Sequence, residues 1–367
     1  MHRFPGCVQA EGNDRMMKIV VLAGGLSTER AVSLVTGASV CRALRKNGHR
    51  AILVDLFLGL EEVPADLESL FDAADGLCPD VKIEAQAPDL NAVRASRKDQ
   101  SARLFGPNVL ELCELADIVF LGLHGQDGED GRVQAAFDLL GIRYTGSGYL
   151  ASGIAMNKIT TKRMMDSAHI PTPKWQVLRY EADEVERLAE ELPMPCVVKT
   201  PGGGSSLGVF IPEDRAALRD ALMKVQGYGV EVLVEERIFG REFTIAVLGD
   251  RALPAVEILP AEKDFDYAAK YQAGGARELC PAPITAEQQE TMGKLALKLH
   301  QTLGLQVYSR TDFLLDEKGQ FYCLEVNSLP GMTSASLVPK EAAAIGMTYQ
   351  ELCEEIVQQS YRIQRRG

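Results

Sequence analysis

A chain of 367 residues with a formal net charge of −12 carries no general basic footprint for nucleic acid or an anionic membrane. Its length suffices for two or three domains with cores of their own, and any anionic ligand must be held by locally placed lysines. Eight scattered cysteines without a Cys-x-x-Cys pair, and five histidines without His-Glu-x-x-His, speak against a zinc site or a disulfide framework and for reduced cytoplasmic thiols.

No apolar run approaches the roughly 18 residues needed to span a bilayer. Residues 1–16 lack the apolar core of a signal peptide, and a disordered leader or an upstream start ahead of Met16 or Met17 is expected there. Lys18 to Ala23 then reads as a short buried strand of the parallel type. A Gly24-Gly25-Leu26-Ser27-Thr28-Glu29-Arg30 turn leads into a helical pattern through Val40 and Leu44 that Asn47-Gly48 ends. Ala51 to Leu56 is a second strand. Ile118 to Leu123 is a third, running into His124-Gly125-Gln126-Asp127-Gly128-Glu129-Asp130-Gly131. Strand–helix alternation implies an open α/β sheet over 17–146, with ligands beyond the carboxyl ends of its strands, where both glycine-rich turns stand. Residues 57–108 show no clear pattern.

Tyr144-Thr145-Gly146-Ser147-Gly148 reads as a linker into a central region, 147–238. There a helix containing Lys158 stops at His169-Ile170-Pro171-Thr172-Pro173, and Cys196 to Lys199, Val209 to Ile211 and Val230 to Glu235 read as strands. A third region, 239–367, has its clearest helix where Met292, Leu295, Leu299 and Leu303 share a face that ends at Gly304.

The sharpest signal is a hairpin in that third region. Thr311 to Leu315 and Phe321 to Val326 flank the turn-rich Asp316-Glu317-Lys318-Gly319-Gln320. With an even loop such as Lys318-Gly319, Glu317 faces Gln320, Asp312 faces Glu325 and Arg310 faces Asn327. Side chains two apart share a sheet face, so all four project to one side. Two carboxylates and an amide oxygen suit magnesium, which takes oxygen ligands and shares them with substrate phosphates. A solvated face with an Arg–carboxylate pair is the plainer alternative; the apolar neighbours and the Pro330-Gly331 turn weigh against it.

Two further segments are open to two readings each. The glycines of 202–208 let backbone N–H groups converge on a phosphate, or they form a mobile hairpin tip; Lys199 on the strand before them favours the phosphate. The Walker order, with Gly-Lys-Ser/Thr after the glycines, is absent. Lys158 alone would be one more solvated helix lysine, and gains meaning only by assembly with Lys199. Residues 235–242 cross between regions, as nucleotide sites and ordinary charged crossovers both do.

Taken in order, Lys158, Lys199, the Gly202–Gly208 loop, Glu235, Glu242, Lys270, Arg310, Asp312, Glu325 and Asn327 resemble the pattern of ATP-grasp enzymes. More narrowly, the chain resembles the D-alanine–D-alanine ligase family through its 24–34, 123–131 and 144–148 segments, Asp266-Tyr267-Ala268-Ala269-Lys270-Tyr271, and Glu325 to Ser334. The likeness runs from about Lys18 to near the C-terminus and is thinnest over 57–108.

The resemblance implies a three-domain α/β architecture in which two α+β lobes clamp ATP. It implies synthesis of D-alanyl-D-alanine through an acylphosphate, for peptidoglycan precursors, by a cytoplasmic homodimer. Asp312, Glu325 and Asn327 would hold two magnesium ions, which manganese can replace. Lys158, Lys199 and Lys270, with Ser205 and Ser206, would contact ATP phosphates; Glu235 and Ile238 would meet adenine, and Glu242 the ribose. Arg310 and the Gly331 N–H would stabilise an oxyanion, Glu29 would receive the first ammonium, and Ser336 with the Leu337 N–H the second carboxylate. Glu29, Ser205 and Tyr271 would tie down a lid over 264–277. His124 orients substrate or caps a turn, and both readings stay open.

Two departures are visible: Glu236-Arg237 stands where Lys-Trp is frequent, and Pro201-Gly202-Gly203-Gly204 where Ser-Arg-Glu-Gly is commoner. Other second substrates, D-lactate or D-serine, are the competing enzyme reading, and Tyr271 speaks for an amine. A dinucleotide-dependent oxidoreductase lacks its Gly-x-Gly-x-x-Gly. A nucleotide-binding regulator without catalysis would have no need of the intact Arg310, Asp312, Glu325 and Asn327.

Overall fold

The computed structural model describes residues 15–78, 88–203, 208–229, 231–260 and 276–364. Residues 1–14 of the leader, Ser205, Ser206, Lys270, Tyr271 and most of the expected lid lie outside them.

The first sheet is parallel, with β1 (Lys18–Ala23) between β2 (Arg50–Asp55) and β3 (Ile118–Leu121). Ile19 to Ala23 and Ala51 to Val54 are all buried, as continuous apolar strands of a parallel sheet require. The helix Arg30–Lys46 turns Val40, Cys41 and Leu44 into this core and stops at the expected Asn47-Gly48. Gly37 permits its close approach, since a Cβ there would lie 2.6 Å from both Ala23 Cβ and Leu53 Cδ1. Among the described residues of 57–108 stand a 3₁₀ turn, Leu67–Asp72, and a short helix, Leu90–Ser96. Elements this short show too few periods to be read from sequence. The helix Tyr349–Tyr361 returns to the first core with Leu352, Cys353, Ile356 and Val357.

The central sheet is antiparallel: β4 (Trp175–Leu178), β5 (Cys196–Lys199), β6 (Val209–Phe210) and β7 (Val232–Glu236), in the order β4-β7-β5-β6. Its core is small, with Val185, Leu188 and Ala189 from one helix and Leu218, Leu222 and Val225 from another packed on Val198, Val232 and Val234. The third sheet holds β8 (Gly240–Leu248), β9 (Arg251–Ala252), β10 (Val256–Pro260), β11 (Ala276–Leu279), β12 (Tyr308–Asp316) and β13 (Phe321–Asn327). They run β11-β10-β8-β12-β13, with β9 on β8.

The cores do not divide where the chain order divides. The helices Tyr149–Met156 and Lys158–Ser167 precede the central sheet, yet Ala151, Ala155 and Met165 are buried with Phe243, Phe313 and Phe321 of the third. Lys158 is therefore rooted beside β12 and β13.

The helix Ala286–Thr302 opens with a capping box of Thr285 and Gln288 and covers the third sheet with Met292, Ala296 and Leu299. In its last turn the buried His300 lies with Nδ1 2.7 Å from Ser309 Oγ on β12. Burial pushes this imidazole from 6.5 down to about 4. Between those values the unfolded chain takes the proton and the folded one does not, so stability falls as pH falls through that window. The loss is roughly 3 kcal/mol. His300→Gln should flatten that part of the slope, as urea titrations of both proteins across the window will measure.

Candidate active site

The β12–β13 register brings Arg310 opposite Asn327 and Asp312 opposite Glu325, as expected. The even loop is corrected. Asp316 N donates to Gln320 O at 3.1 Å, enclosing three residues, and Leu315 faces Phe321 rather than Tyr322. A bulge between Asp312 and Phe313, opposite which Leu324 is the extra residue, shifts the pairing by one. Without it Asp312 and Glu325 would stand on opposite faces, because a one-residue slip inverts every side chain beyond it.

On the other flank of β12, Thr244 of β8 faces Asp312 and donates its hydroxyl to Asp312 Oδ1 at 2.6 Å. Arg310 Nε and Nη2 donate to the two Asp312 oxygens at 3.0 and 3.1 Å. The Arg–carboxylate pair is thus present, but its side chains are only 19% and 15% exposed, so the face is not a solvated one.

Glu325 Oε2 lies 3.1 Å from Lys158 Nζ, which also donates to Gly203 O at 2.9 Å. Asn157 caps this helix by accepting from Thr160 N at 2.9 Å, which fixes Lys158 as its first residue. A cation there meets the positive end of the helix, and the nearby carboxylate offsets that cost. Glu129, Lys158, Gly203, Glu325, Asn327 and Ser328 together line an open cleft.

A second cluster is buried. Glu235, at the end of β7, has Lys199 Nζ 2.6 Å from Oε2 and Lys162 Nζ 2.7 Å from Oε1. Burial works against charge on all three. For Lys199, Glu235 and then Glu325 and Glu242 outweigh it, and its pKa rises above the ordinary lysine value. For Lys162 burial prevails with help from Lys199, and the pKa falls. For Glu235 the two lysines prevail over burial and hold its carboxyl below the usual range. Ile238, on the crossover into β8, and Glu242, the third residue of β8, are half-buried.

From the first domain, Glu29 precedes the helix Arg30–Lys46 and is buried. His124 Nε2 lies 3.0 Å from Thr36 Oγ1, within hydrogen-bond distance, and Nδ1 faces Glu129 Oε1 at 3.7 Å, an ionic contact. Burial opposes its charge, but Glu129 and Glu29 raise its pKa overall. Glu129 is raised too, by burial and by Glu29. Ser336 stands just before the helix Leu337–Ala344 without a capping hydrogen bond from its side chain; its Oγ accepts from Thr333 N at 3.1 Å, and a Cβ on Gly331 would lie 3.1 Å from it.

Lys162, Thr244 and Glu129 were not singled out as site residues from sequence. Lys162 stands one helical turn after Lys158, which was the available signal. Among the described residues no three His, Cys, Asp or Glu side chains gather as a metal cage. The hairpin instead offers two carboxylates and an amide, with Asn327 Nδ2 buried and lacking a hydrogen-bond partner. All the oxygens are hard donors, and an ion that also takes phosphate oxygens and water needs no more from the protein, so the set fits magnesium.

The family model described as D-ala D-ala ligase N-terminus matches residues 18–147, and that of the D-ala D-ala ligase C-terminus matches 164–358. The chain belongs to the D-alanine–D-alanine ligase family. The D-alanine–D-alanine ligase of Pediococcus pentosaceus is 43% identical over 93% of this chain and 97% of its own, and that of Gluconobacter oxydans 38% over 94% and 99%. The Bacillus anthracis D-alanine–D-alanine ligase complexed with ATP superposes with a TM-score of 0.70 at 30% identity, covering 94% of this chain and 98% of that one. A D-Ala:D-Ser ligase from Enterococcus faecalis gives a TM-score of 0.71 at 27% identity, over 94% of this chain and 100% of that one. The α/β fold is the family's ATP-grasp fold, as expected.

Thr244 is fully buried, and its hydroxyl is the neutral partner of Asp312. Thr244→Val should cost about 2 kcal/mol in urea unfolding, the worth of a hydrogen bond to a charged group, and Thr244→Ser much less.

Proposed function

We propose that this chain performs its family's reaction, the ATP- and magnesium-dependent joining of two D-alanines into D-alanyl-D-alanine for peptidoglycan precursors. The observation that carries the reading is the meeting of two sets of groups at one cleft. Asp312, Glu325 and Asn327 share a face of β12–β13, and Lys158 contacts both Glu325 and the edge of the glycine-rich loop.

Asp312, Glu325 and Asn327 would hold magnesium or manganese, which when bound neutralises triphosphate charge. Lys158 and Lys199 donate to phosphate oxygens, exchanging their present partners for them. Lys270, Ser205 and Ser206 do the same from outside the described residues. Adenine is met by Glu235 and Ile238, and the ribose by Glu242. The first D-alanine, its ammonium received by Glu29 beside His124, attacks the γ-phosphorus through its carboxylate; ADP leaves and an acylphosphate remains. The amine of the second D-alanine, whose carboxylate is taken by Ser336 Oγ and the Leu337 N–H, attacks that carbonyl. Arg310 and the Gly331 N–H stabilise the oxyanion, one such donor being worth ~3 kcal/mol, and phosphate departs. Tyr271, Ser205 and Glu29 keep water out meanwhile, since an exposed acylphosphate hydrolyses. A homodimer in the cytoplasm completes the proposal, and a light-scattering mass of one chain would remove the dimer.

Phosphate release with D-alanine, D-serine and D-lactate as acceptors tests the substrate. D-Alanine should be used fastest, and an equal rate with D-serine would align the chain with its D-Ala:D-Ser neighbour instead. Chelation should stop release, and manganese should restore it. Glu325→Gln should lower the rate by about 1,000-fold, roughly 4 kcal/mol of barrier, and Asp312→Asn by less. A fully active Glu325→Gln enzyme would end the metal assignment.

A further inference from the structure

The Lys162 side chain is 1% exposed, and it is not among the residues that line the cleft beside Lys158. A buried ammonium is expensive unless paired, and this one is paired twice over: with Glu235 Oε1 at 2.7 Å and with the Thr172 hydroxyl, which itself donates to Cys323 O at 2.8 Å. Two lysines therefore share one carboxylate. Lys199 has its ammonium 2.6 Å from the other Glu235 oxygen.

The sharing matters because the nucleotide must compete for Lys199. Were Lys199 the sole partner of Glu235, turning it toward a phosphate would strand a carboxylate that is 2% exposed, and breaking one side of a buried pair is strongly unfavourable. With Lys162 fixed on the opposite oxygen, Glu235 stays compensated after Lys199 leaves. We infer that Lys162 is a positioning residue for the nucleotide: it balances Glu235 so that Lys199 is released to the ATP phosphates. The inference deepens the ligase reading and rests on it.

A double-mutant cycle tests it, with ATP affinity measured by calorimetry and turnover by phosphate release on wild type, Lys162→Met, Glu235→Gln and the combined variant. Lys162→Met should weaken ATP on the order of 30-fold, part of the penalty for unbalancing a buried pair, and leave kcat at saturating ATP within about 3-fold. On the Glu235→Gln background, where no carboxylate needs balancing, the same substitution should change ATP affinity by less than about 3-fold. Equal weakening on both backgrounds, or none on the wild type, would overturn the assignment. If Lys162→Met alone does not fold, the combined variant decides: it should fold and bind ATP as Glu235→Gln does, and failure in either respect overturns the inference. A wild type that binds ATP but releases no phosphate with any acceptor would sink the ligase reading, while the four affinities still judge Lys162.

Discussion

One extra residue on β13 sets the chemistry of the third sheet. The three-residue turn at Glu317, Lys318 and Gly319 and the same-face pairing of Asp312 with Glu325 are incompatible in a regular ladder. The bulge at Leu324 reconciles them. The charged and polar groups are then aligned to one face of the hairpin: Thr244 and Arg310 fix both Asp312 oxygens, and Lys158 reaches Glu325. Bulges re-aim side chains at the cost of a broken ladder, and here the re-aimed residue is Glu325.

An acidic chain also has to offer a polyanion some local positive charge. It does so by burying lysines against fewer carboxylates than they can match. Lys162 and Lys199 hold Glu235 between them, and Lys158 holds Glu325. Ion pairs of this kind add little net stability once desolvation is counted. Their use is to keep ammonium groups oriented in a dry place where a phosphate gains far more from them than it would in water.

Much of this was legible in local sequence. β1 and β5 match the strands read from Lys18 to Ala23 and Cys196 to Lys199, and the helix Arg30–Lys46 ends at its Asn-Gly stop, because apolar runs and turn residues are short-range signals. The Asp312–Glu325 pairing was read correctly from a loop that was not, since two one-residue shifts cancel. Ser205, Ser206, Lys270 and Tyr271 lie outside the described residues. Lys162 was illegible for another reason. Its burial is created by β7 and by Thr172, both distant in the chain, and a helix lysine looks the same whether solvated or enclosed. Nor does sequence order reveal that the helices of 149–167 pack on the third sheet instead of the central one.

That packing has a mechanical consequence. Lys158 and Lys162 travel with β12 and β13, whereas Lys199 and Glu235 travel with the central sheet. Any tilt of the central sheet changes the gap between Lys199 and Lys158 but leaves the Lys158–Glu325 spacing untouched. The Lys162–Glu235 contact joins the two parts where water is excluded, and the Lys158 N–H, which donates to Pro201 O at 2.7 Å, joins them a second time. Lys158 and Lys199, two of the three lysines expected at the phosphates, are thus rooted in different sheets, so the distance between their ammonium groups depends on how those sheets sit together as well as on each side-chain rotamer.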